Sequence, residues 1–407
     1  MRIEKLSSSG RRLRVLVMTS TFPRWVGDNE PAFIYTLCER LSQQFEVWVL
    51  APHAPGAQIQ ESLGRGFFVK RFRYCLERAE TLAYQGGILA KLRSNRFRYL
   101  LVVPFVVAQW FAVVRLQKTH KFDIVHAHWL IPQGFVAVLA KCLFPSFPKL
   151  VCTSHGSDLH GLQGGLFARI KRFTVSQSDA YTVVSEAMRQ SALAQHIDVR
   201  NIQVIPMGVD ADCLFTPGDP AAKKSMQLLF VGRLEQPKGL ALLLRALPAI
   251  LSAQPSCRLK VIGDGSQKPR LEELAAQLGI VSKVEFVGAV PNYALPNFYR
   301  ESDLLVFPSL DSEGLGLVCA EALACGCAVV ASDLPAVREI VLDGVTGLVF
   351  RMGDCADLIE KVNQMLTNPA MRVAMGKAGR HHVGSRFDWA PVTTAFIHVY
   401  RSVCELE

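Results

Sequence analysis

The sequence contains no CxxC pair, no glycine-rich loop ending in Lys-Ser or Lys-Thr, and no short-period repeat. The first absence speaks against a zinc ribbon or a disulfide frame. The eleven cysteines, an odd number, read as reduced and buried thiols of a reducing cytoplasm. The second absence excludes the P-loop mode of nucleotide binding, and no nucleic-acid module is visible. Aromatic residues make up only 9% and charged residues only 20%. Long apolar runs are also scarce. Leu13–Met18 is too short for a signal-peptide core and has no small-residue cleavage site after it, so it reads as a first strand.

What is present is apolar: 50% of 407 residues, enough for complete cores in two to three domains. Short apolar segments alternate with helical ones. Arg14–Thr19, Val47–Leu50, Phe67–Arg71, Ile124–His126, Val151–Thr153, Ala180–Val184 and Gln203–Ile205 form one series. A second restarts at Leu228–Val231 and continues through Lys260–Ile262, Val284–Val287, Leu304–Phe307, Ala328–Ser332 and Leu348–Phe350. Continuous apolar strands separated by helices predict α/β architecture: parallel sheets covered on both faces, here two doubly wound Rossmann-like domains in series. Between the series lies the Pro- and Gly-rich stretch Pro206–Pro220. The expected domains are 1–210 and 211–386, followed by a C-terminal helix over 387–407. The carboxyl ends of both sheets are expected to line a cleft, where open α/β sheets bind ligands.

Charge is unevenly spread. Residues 1–212 hold 26 Lys and Arg against 15 Asp and Glu, net +11, and the remainder is net −1. An anionic partner is therefore expected for the first half. Within it, Leu100–Val114 is almost wholly apolar, with Arg93, Arg96 and Arg98 before it and Arg115, Lys118 and Lys121 after. It is shorter than the roughly 20 residues of a spanning helix, and Pro104 interrupts it. Two readings stand: a helix buried in the domain, or a surface helix that dips its apolar side into an anionic membrane.

The chemistry-bearing residues gather in the second series. Glu313 and Glu321 bracket Gly314-Leu315-Gly316-Leu317-Val318, between the strand candidates Leu304–Phe307 and Ala328–Ser332. This reads as strand, glycine-rich loop, helix, strand. A helix that starts after two glycines offers free N–H groups and a positive dipole end to a phosphate. Two flanking carboxylates add acceptors for hydroxyls, which together describe a pocket for a nucleotide-diphosphate sugar. Gly232-Arg233-Leu234-Glu235-Gln236-Pro237-Lys238-Gly239 follows another strand of the same sheet. Its Arg and Lys can converge on one diphosphate, the first as a planar fork and the second as a point charge.

In the first half, His155-Gly156-Ser157-Asp158 follows a strand and places a His where a ligand hydroxyl can reach it. His126-Ala127-His128 has metal-like spacing without a completing ligand set, so substrate contact or packing ranks above metal. Gly27-Asp28-Asn29-Glu30 precedes a helical stretch from Ala32 to Leu41. Gly263-Asp264-Gly265 begins like a dinucleotide fingerprint but lacks the third glycine, and Asp210-Ala211-Asp212 reads as linker.

Taken in order, Thr153-Ser154-His155-Gly156-Ser157-Asp158, Ile205-Pro206-Met207-Gly208-Val209-Asp210, Gly232-Arg233-Leu234 with Lys238-Gly239, and the Glu313 to Glu321 run resemble glycosyltransferase family 4 over nearly the whole chain. Leu315 stands where that family often has Phe, Ala328 where it has Pro, Asp28 in place of a second Gly, and Met207 in place of Asn. The resemblance implies a GT-B fold, two Rossmann-like domains around a donor cleft, with the last helix returning to the first domain. It implies that Glu321 binds the donor ribose, Glu313 the transferred sugar, and Arg233 and Lys238 the diphosphate. The backbone from Gly314 to Val318, and Gly232, would complete the donor site. His155 would lie by the sugar and Gly27 in a loop near donor and acceptor.

The implied reaction is α-retaining transfer of a hexose from a nucleotide sugar; the basic first half and Leu100–Val114 point to a lipid-linked glycan acceptor, in surface or extracellular polysaccharide assembly. No metal and no cofactor beyond the donor is expected. The expected place is the cytoplasm, peripheral on the inner face of the membrane. The alternatives are a nucleotide-sugar epimerase or hydrolase of the same fold, or a non-catalytic nucleotide-sugar binder.

Overall fold

The computed structural model describes residues 11–84, 86–197, 202–219 and 226–405. The chain divides into one compact unit over 1–206 with 393–407 and a second over 207–392. Pro220, at the end of the stretch expected to hold the boundary, lies outside the described residues.

Among the described residues the first unit carries eight strands: β1 (Arg14–Met18), β2 (Glu46–Pro52), β3 (Gln60–Gly64), β4 (Phe67–Phe72), β5 (Ile124–His128), β6 (Lys149–Ser154), β7 (Ala180–Val183) and β8 (Ile202–Val204). Their spatial order is β3-β4-β2-β1-β5-β6-β7-β8. All neighbouring pairs are parallel except β3 with β4. Val15 to Met18 and Val47 to Leu50 are buried because helices cover both faces, which is why these strands are apolar without alternation. β3 was not legible: its sequence, Gln-Glu-Ser-Leu-Gly, is largely exposed at an antiparallel edge and carries no apolar pattern. The helix Trp389–Glu405 brings Tyr400 and Phe396 into this unit's core. The Tyr400 ring meets Phe45, and its hydroxyl lies 2.7 Å from His126 Nδ1.

Among the described residues the second unit has six strands, all parallel: β9 (Gln227–Val231), β10 (Arg258–Ile262), β11 (Val284–Gly288), β12 (Leu304–Phe307), β13 (Ala328–Ser332) and β14 (Leu348–Phe350). Their order is β11-β10-β9-β12-β13-β14. Renumbered within the unit this is 3-2-1-4-5-6, the doubly wound Rossmann order. The chain winds outward from β9 in one direction and from β12 in the other. The loops that leave these two adjacent strands must therefore diverge to opposite faces, and a crevice opens between them.

The apolar segment at 100–114 differs from its sequence reading. Pro104 does not interrupt it: a single α-helix runs from Val102 to His120, preceded by a 3₁₀ segment from Arg96 to Leu101. Pro104 is the third helical residue, where a missing N–H removes no intrahelical bond. The helix is not simply buried either. Phe105, Gln109, Val113 and Leu116 face inward, whereas Val103, Val107 and Phe111 are exposed. Buried thiols were also only partly foreseen, since Cys75, Cys142 and Cys213 are exposed.

Candidate functional site

The crevice of the second unit is bounded by the loop Gly232–Gly239 after β9 and by the loop after β12. Both are fixed by close backbone contact. On one side, Gly232 N–H donates to Ile262 O (3.0 Å), Leu234 N–H to Asp264 O (2.9 Å), and Gln267 N–H to Leu234 O (3.0 Å). A Cβ at Gly263 would lie 1.9 Å from Gly232 O, and one at Gly265 would lie 2.5 Å from Leu234 O. The Gly263-Asp264-Gly265 run is thus a packing device that lets two loops touch, which accounts for the incomplete fingerprint.

On the other side, Gly239 takes φ +71°, and a Cβ there would lie 1.8 Å from Pro308 O. Leu310 N–H donates to Pro237 O at 2.7 Å. These contacts bring Lys238 and Glu313 together, 75 residues apart in sequence: Lys238 Nζ donates to Glu313 Oε1 at 2.7 Å. The Ser309 hydroxyl lies 2.6 Å from the same oxygen. Both charged side chains are largely enclosed, 22% and 14% exposed. Arg233, on the same loop as Lys238, is exposed.

After Glu313 the chain passes Gly314 and the buried Leu315 to Gly316, whose φ of +94° opens the helix Leu317–Ala324. No side chain caps that helix, and its ladder starts with Cys319 N–H to Gly316 O, 2.9 Å. The N–H groups of Leu317 and Val318 therefore begin the helix with the positive end of its dipole. One turn further, Glu321 lies only partly open to solvent. The Tyr299 hydroxyl donates to Glu321 Oε2 at 2.8 Å, and Asn292 Nδ2 lies 3.5 Å from Oε1. Burial pushes the Glu321 carboxyl up to about 7, against the pull of these two hydrogen bonds. Burial and the adjacent carboxylate raise the Tyr299 hydroxyl well above its ordinary value.

Sequence reasoning missed Tyr299, Asn292 and Ser309. Tyr299 sits in the short helix Leu295–Glu301, fully buried, and reads there as an ordinary core aromatic. Only its hydroxyl distinguishes it, because a buried phenol needs a partner.

His155 and Gly27 belong to the first unit. The His155 ring lies tilted against Trp129 (4.8 Å between centroids) and Phe33 (5.3 Å), and its Nε2 is 2.8 Å from His128 Nδ1. Asp158 fixes the loop: its carboxylate accepts from Leu130 N–H (2.8 Å), the Ser154 hydroxyl (2.8 Å) and Gly156 N–H (3.2 Å). Burial drives His126 and His155 down to about 3 and His128 well below its ordinary value, so all three rings are neutral at pH 7. His126 is held between Tyr400 and the Thr153 hydroxyl, a packing role. Gly27 takes φ +81° in a turn closed by Asp28 N–H to Trp25 O, 3.2 Å. Asp28 pairs with Arg24 at 2.7 Å, so it braces the loop. Asp210 Oδ1 accepts from Cys213 N–H at 2.9 Å, which makes the Asp210-Ala211-Asp212 run a turn.

Two family patterns match this chain: "Glycosyltransferase Family 4" over residues 32–212 and "Glycosyl transferases group 1" over 217–382. The D-inositol 3-phosphate glycosyltransferase of Geodermatophilus obscurus is 32% identical over 334 residues, covering 72% of this chain and 70% of that protein. The GDP-mannose-dependent alpha-(1-6)-phosphatidylinositol monomannoside mannosyltransferase of Mycolicibacterium smegmatis is 31% identical over 291 residues, covering 68% and 75%. Among solved structures, the sucrose-phosphate synthase of Thermosynechococcus elongatus superposes with a TM-score of 0.81 at 20% identity, over 97% of this chain and 100% of that one. Sheet order, site geometry and these similarities agree: the chain belongs to glycosyltransferase family 4 and is a glycosyltransferase of GT-B fold.

Proposed function

We propose that this glycosyltransferase moves a hexose from a nucleotide-diphosphate sugar to a lipid-linked glycan acceptor, with retention of the α configuration and without a metal, in surface or extracellular polysaccharide assembly. The observation that carries the reading is the enclosed Lys238–Glu313 pair at the switch point of the sheet, beside a helix start free of any side-chain cap. Binding the donor exchanges partners. Lys238 and Arg233 turn to the diphosphate, together with the Leu317 and Val318 N–H groups. Glu313 accepts from hydroxyls of the sugar, and Glu321 from the two ribose hydroxyls.

In the transfer step the bond between sugar C1 and the β-phosphate oxygen breaks. The acceptor oxygen bonds to C1 on the same face, and its proton passes to the leaving phosphate. Charge accumulates on that phosphate, where preorganised donors have their largest effect. Lys238, Arg233 and the helix start supply the positive charge that a divalent ion supplies in other sites. His155 is assigned to the transferred sugar by its family pattern; its neutral ring both donates and accepts. Gly27 keeps the acceptor-side assignment that the pattern gives it.

The acceptor class draws support from the M. smegmatis relative, whose name specifies a phosphatidylinositol-based acceptor. An enzyme with such an acceptor and a soluble nucleotide-sugar donor works on the cytoplasmic face of a membrane. The test is product formation from the active donor and a lipid-linked glycan in EDTA, with the anomeric configuration read by NMR. An α product from an α donor supports the reading. A β product, or a strict requirement for added metal, contradicts the mechanism.

A further inference from the structure

The surface beside residues 96–120 has a structure that the sugar chemistry does not require. Along one side of this segment Phe97, Leu100, Val103, Val107 and Phe111 stand out at three- and four-residue spacing. Their exposures are 75%, 77%, 69%, 45% and 61%. Tyr99 joins them at 59%. Large apolar side chains rarely gather in the open on a soluble monomer unless the patch is used.

The charges around the patch select its occupant. Residues 81–122 hold Lys91, Arg93, Arg96, Arg98, Arg115, Lys118 and Lys121 and not one Asp or Glu. The basic residues gather at the two ends of the apolar stripe, Arg98 beside Phe97 at its start, and none lies between Leu100 and Phe111. A self-complementary protein interface would bring these like charges against each other. A bilayer with anionic headgroups instead accepts the apolar stripe among its acyl chains and the basic ends among its phosphates.

The same helix is long and apolar enough to cross a membrane by composition. Its inner side argues for a different placement. Phe105 packs edge-on against Phe72 and Tyr74, at 5.1 Å from each, and Gln109, Val113 and Leu116 are buried with it. A spanning position would strip these contacts from the folded unit.

We infer that the Phe97–Phe111 stripe, clamped by basic residues at both ends, is a monotopic docking face for an anionic phospholipid bilayer, and that the helix lies in the plane of the interface. This deepens the lipid-linked reading by naming the surface that meets the lipid, but it stands independently of the donor chemistry.

The experiment is flotation of the full chain with vesicles of phosphatidylcholine alone and of phosphatidylcholine with one-quarter phosphatidylglycerol, at low and high salt. The protein is expected to float with the anionic vesicles, to float poorly with the neutral ones, and to lose binding as salt rises. Two variants are compared: Phe97→Ser with Val107→Ser and Phe111→Ser, and Arg93→Glu with Arg96→Glu and Lys118→Glu. All these positions are exposed, so thermal unfolding is expected to be unchanged. Each variant is expected to lower vesicle partitioning by roughly tenfold or more. Nucleotide binding should stay the same in both, so a failed docking face remains distinguishable from a failed donor site. Equal binding to neutral and anionic vesicles overturns the inference. So does a solution dimer that the apolar variant dissociates, or resistance to carbonate extraction, which marks a span.

Discussion

The Tyr299 hydroxyl donates to Glu321 Oε2 at 2.8 Å, from a ring that is wholly buried. The bond fixes the carboxylate's rotation, and beyond it and the longer contact of Asn292 Nδ2 with Oε1 the remaining lone pairs are left to a ligand. If Glu321 holds the donor ribose, Tyr299→Phe weakens nucleoside-diphosphate binding by about tenfold, in keeping with a hydrogen bond to a charged group. Titration calorimetry with UDP, GDP and ADP and their 3′-deoxy forms checks this. Wild type is expected to prefer the ribonucleotide, and Tyr299→Phe to lose most of that preference. A wild type that does not discriminate contradicts the ribose role itself. Equal discrimination in both proteins contradicts only the role of Tyr299.

Glu321 also predicts a stability profile. Its folded value, about 7, lies above the ordinary 4.5, with burial as the main cause. Between those pH values the folded state holds the proton more tightly than the unfolded state. Stability therefore falls as pH rises through that window, and the loss is complete above it. Glu321→Gln removes the ionisation. It is expected to melt higher than wild type at pH 8 and to match it near pH 4. A difference in Tm that does not change with pH would contradict the buried carboxylate.

The histidine cluster acts with the opposite sign. His126 and His155 are held neutral down to about 3 by burial, whereas the unfolded chain protonates them near 6.5. Between those values the unfolded state binds more protons, so stability falls as pH falls. Thermal melts from pH 7 to pH 5 are expected to show a falling midpoint. His126→Gln is expected to flatten that fall, although the change also alters the contact with Tyr400. Because Glu321 acts with the opposite sign over the same window, the melts are also run on Glu321→Gln, where a midpoint unchanged at pH 5 would contradict the neutral, buried state of the rings.

Lys238 and Glu313 form an ion pair that the donor must open. Lys238→Ala is expected to lower kcat by roughly 10²- to 10³-fold, the cost of removing one preorganised donor at a developing negative charge. Circular dichroism should stay unchanged. Glu313→Gln keeps a hydrogen-bonding group but frees the lysine from its anionic partner. It is expected to tighten free nucleoside-diphosphate binding while it slows transfer. Weaker diphosphate binding in Glu313→Gln would contradict the exchange of partners.

Most strands of both sheets were legible because parallel strands buried on both faces are continuous apolar runs, as in Val15–Met18 or Leu304–Phe307, whereas their spatial order was not read from the sequence. Gln60–Gly64 was not, because an exposed edge strand needs no apolar code. The donor loops were legible through residue types that have few structural reasons to sit together: two glycines, two carboxylates, an arginine and a lysine. Tyr299, Asn292 and Ser309 were not, since each supports the site through a single polar atom and sits otherwise as common helix or loop sequence. Burial of the 100–114 segment could not be read from its pattern. Both sides of that helix are apolar, and only packing decides which side is covered.

Metal-independent use of a nucleotide-sugar donor is the claim on which the rest of the chemistry turns. Its most direct test is release of free nucleotide from a panel of UDP-, GDP- and ADP-sugars in EDTA, comparing wild type with Glu321→Ala. The account predicts slow release from one donor by wild type, and its loss in a Glu321→Ala protein that remains folded. Release that appears only when a divalent metal is restored, or that persists unchanged in Glu321→Ala, would contradict it.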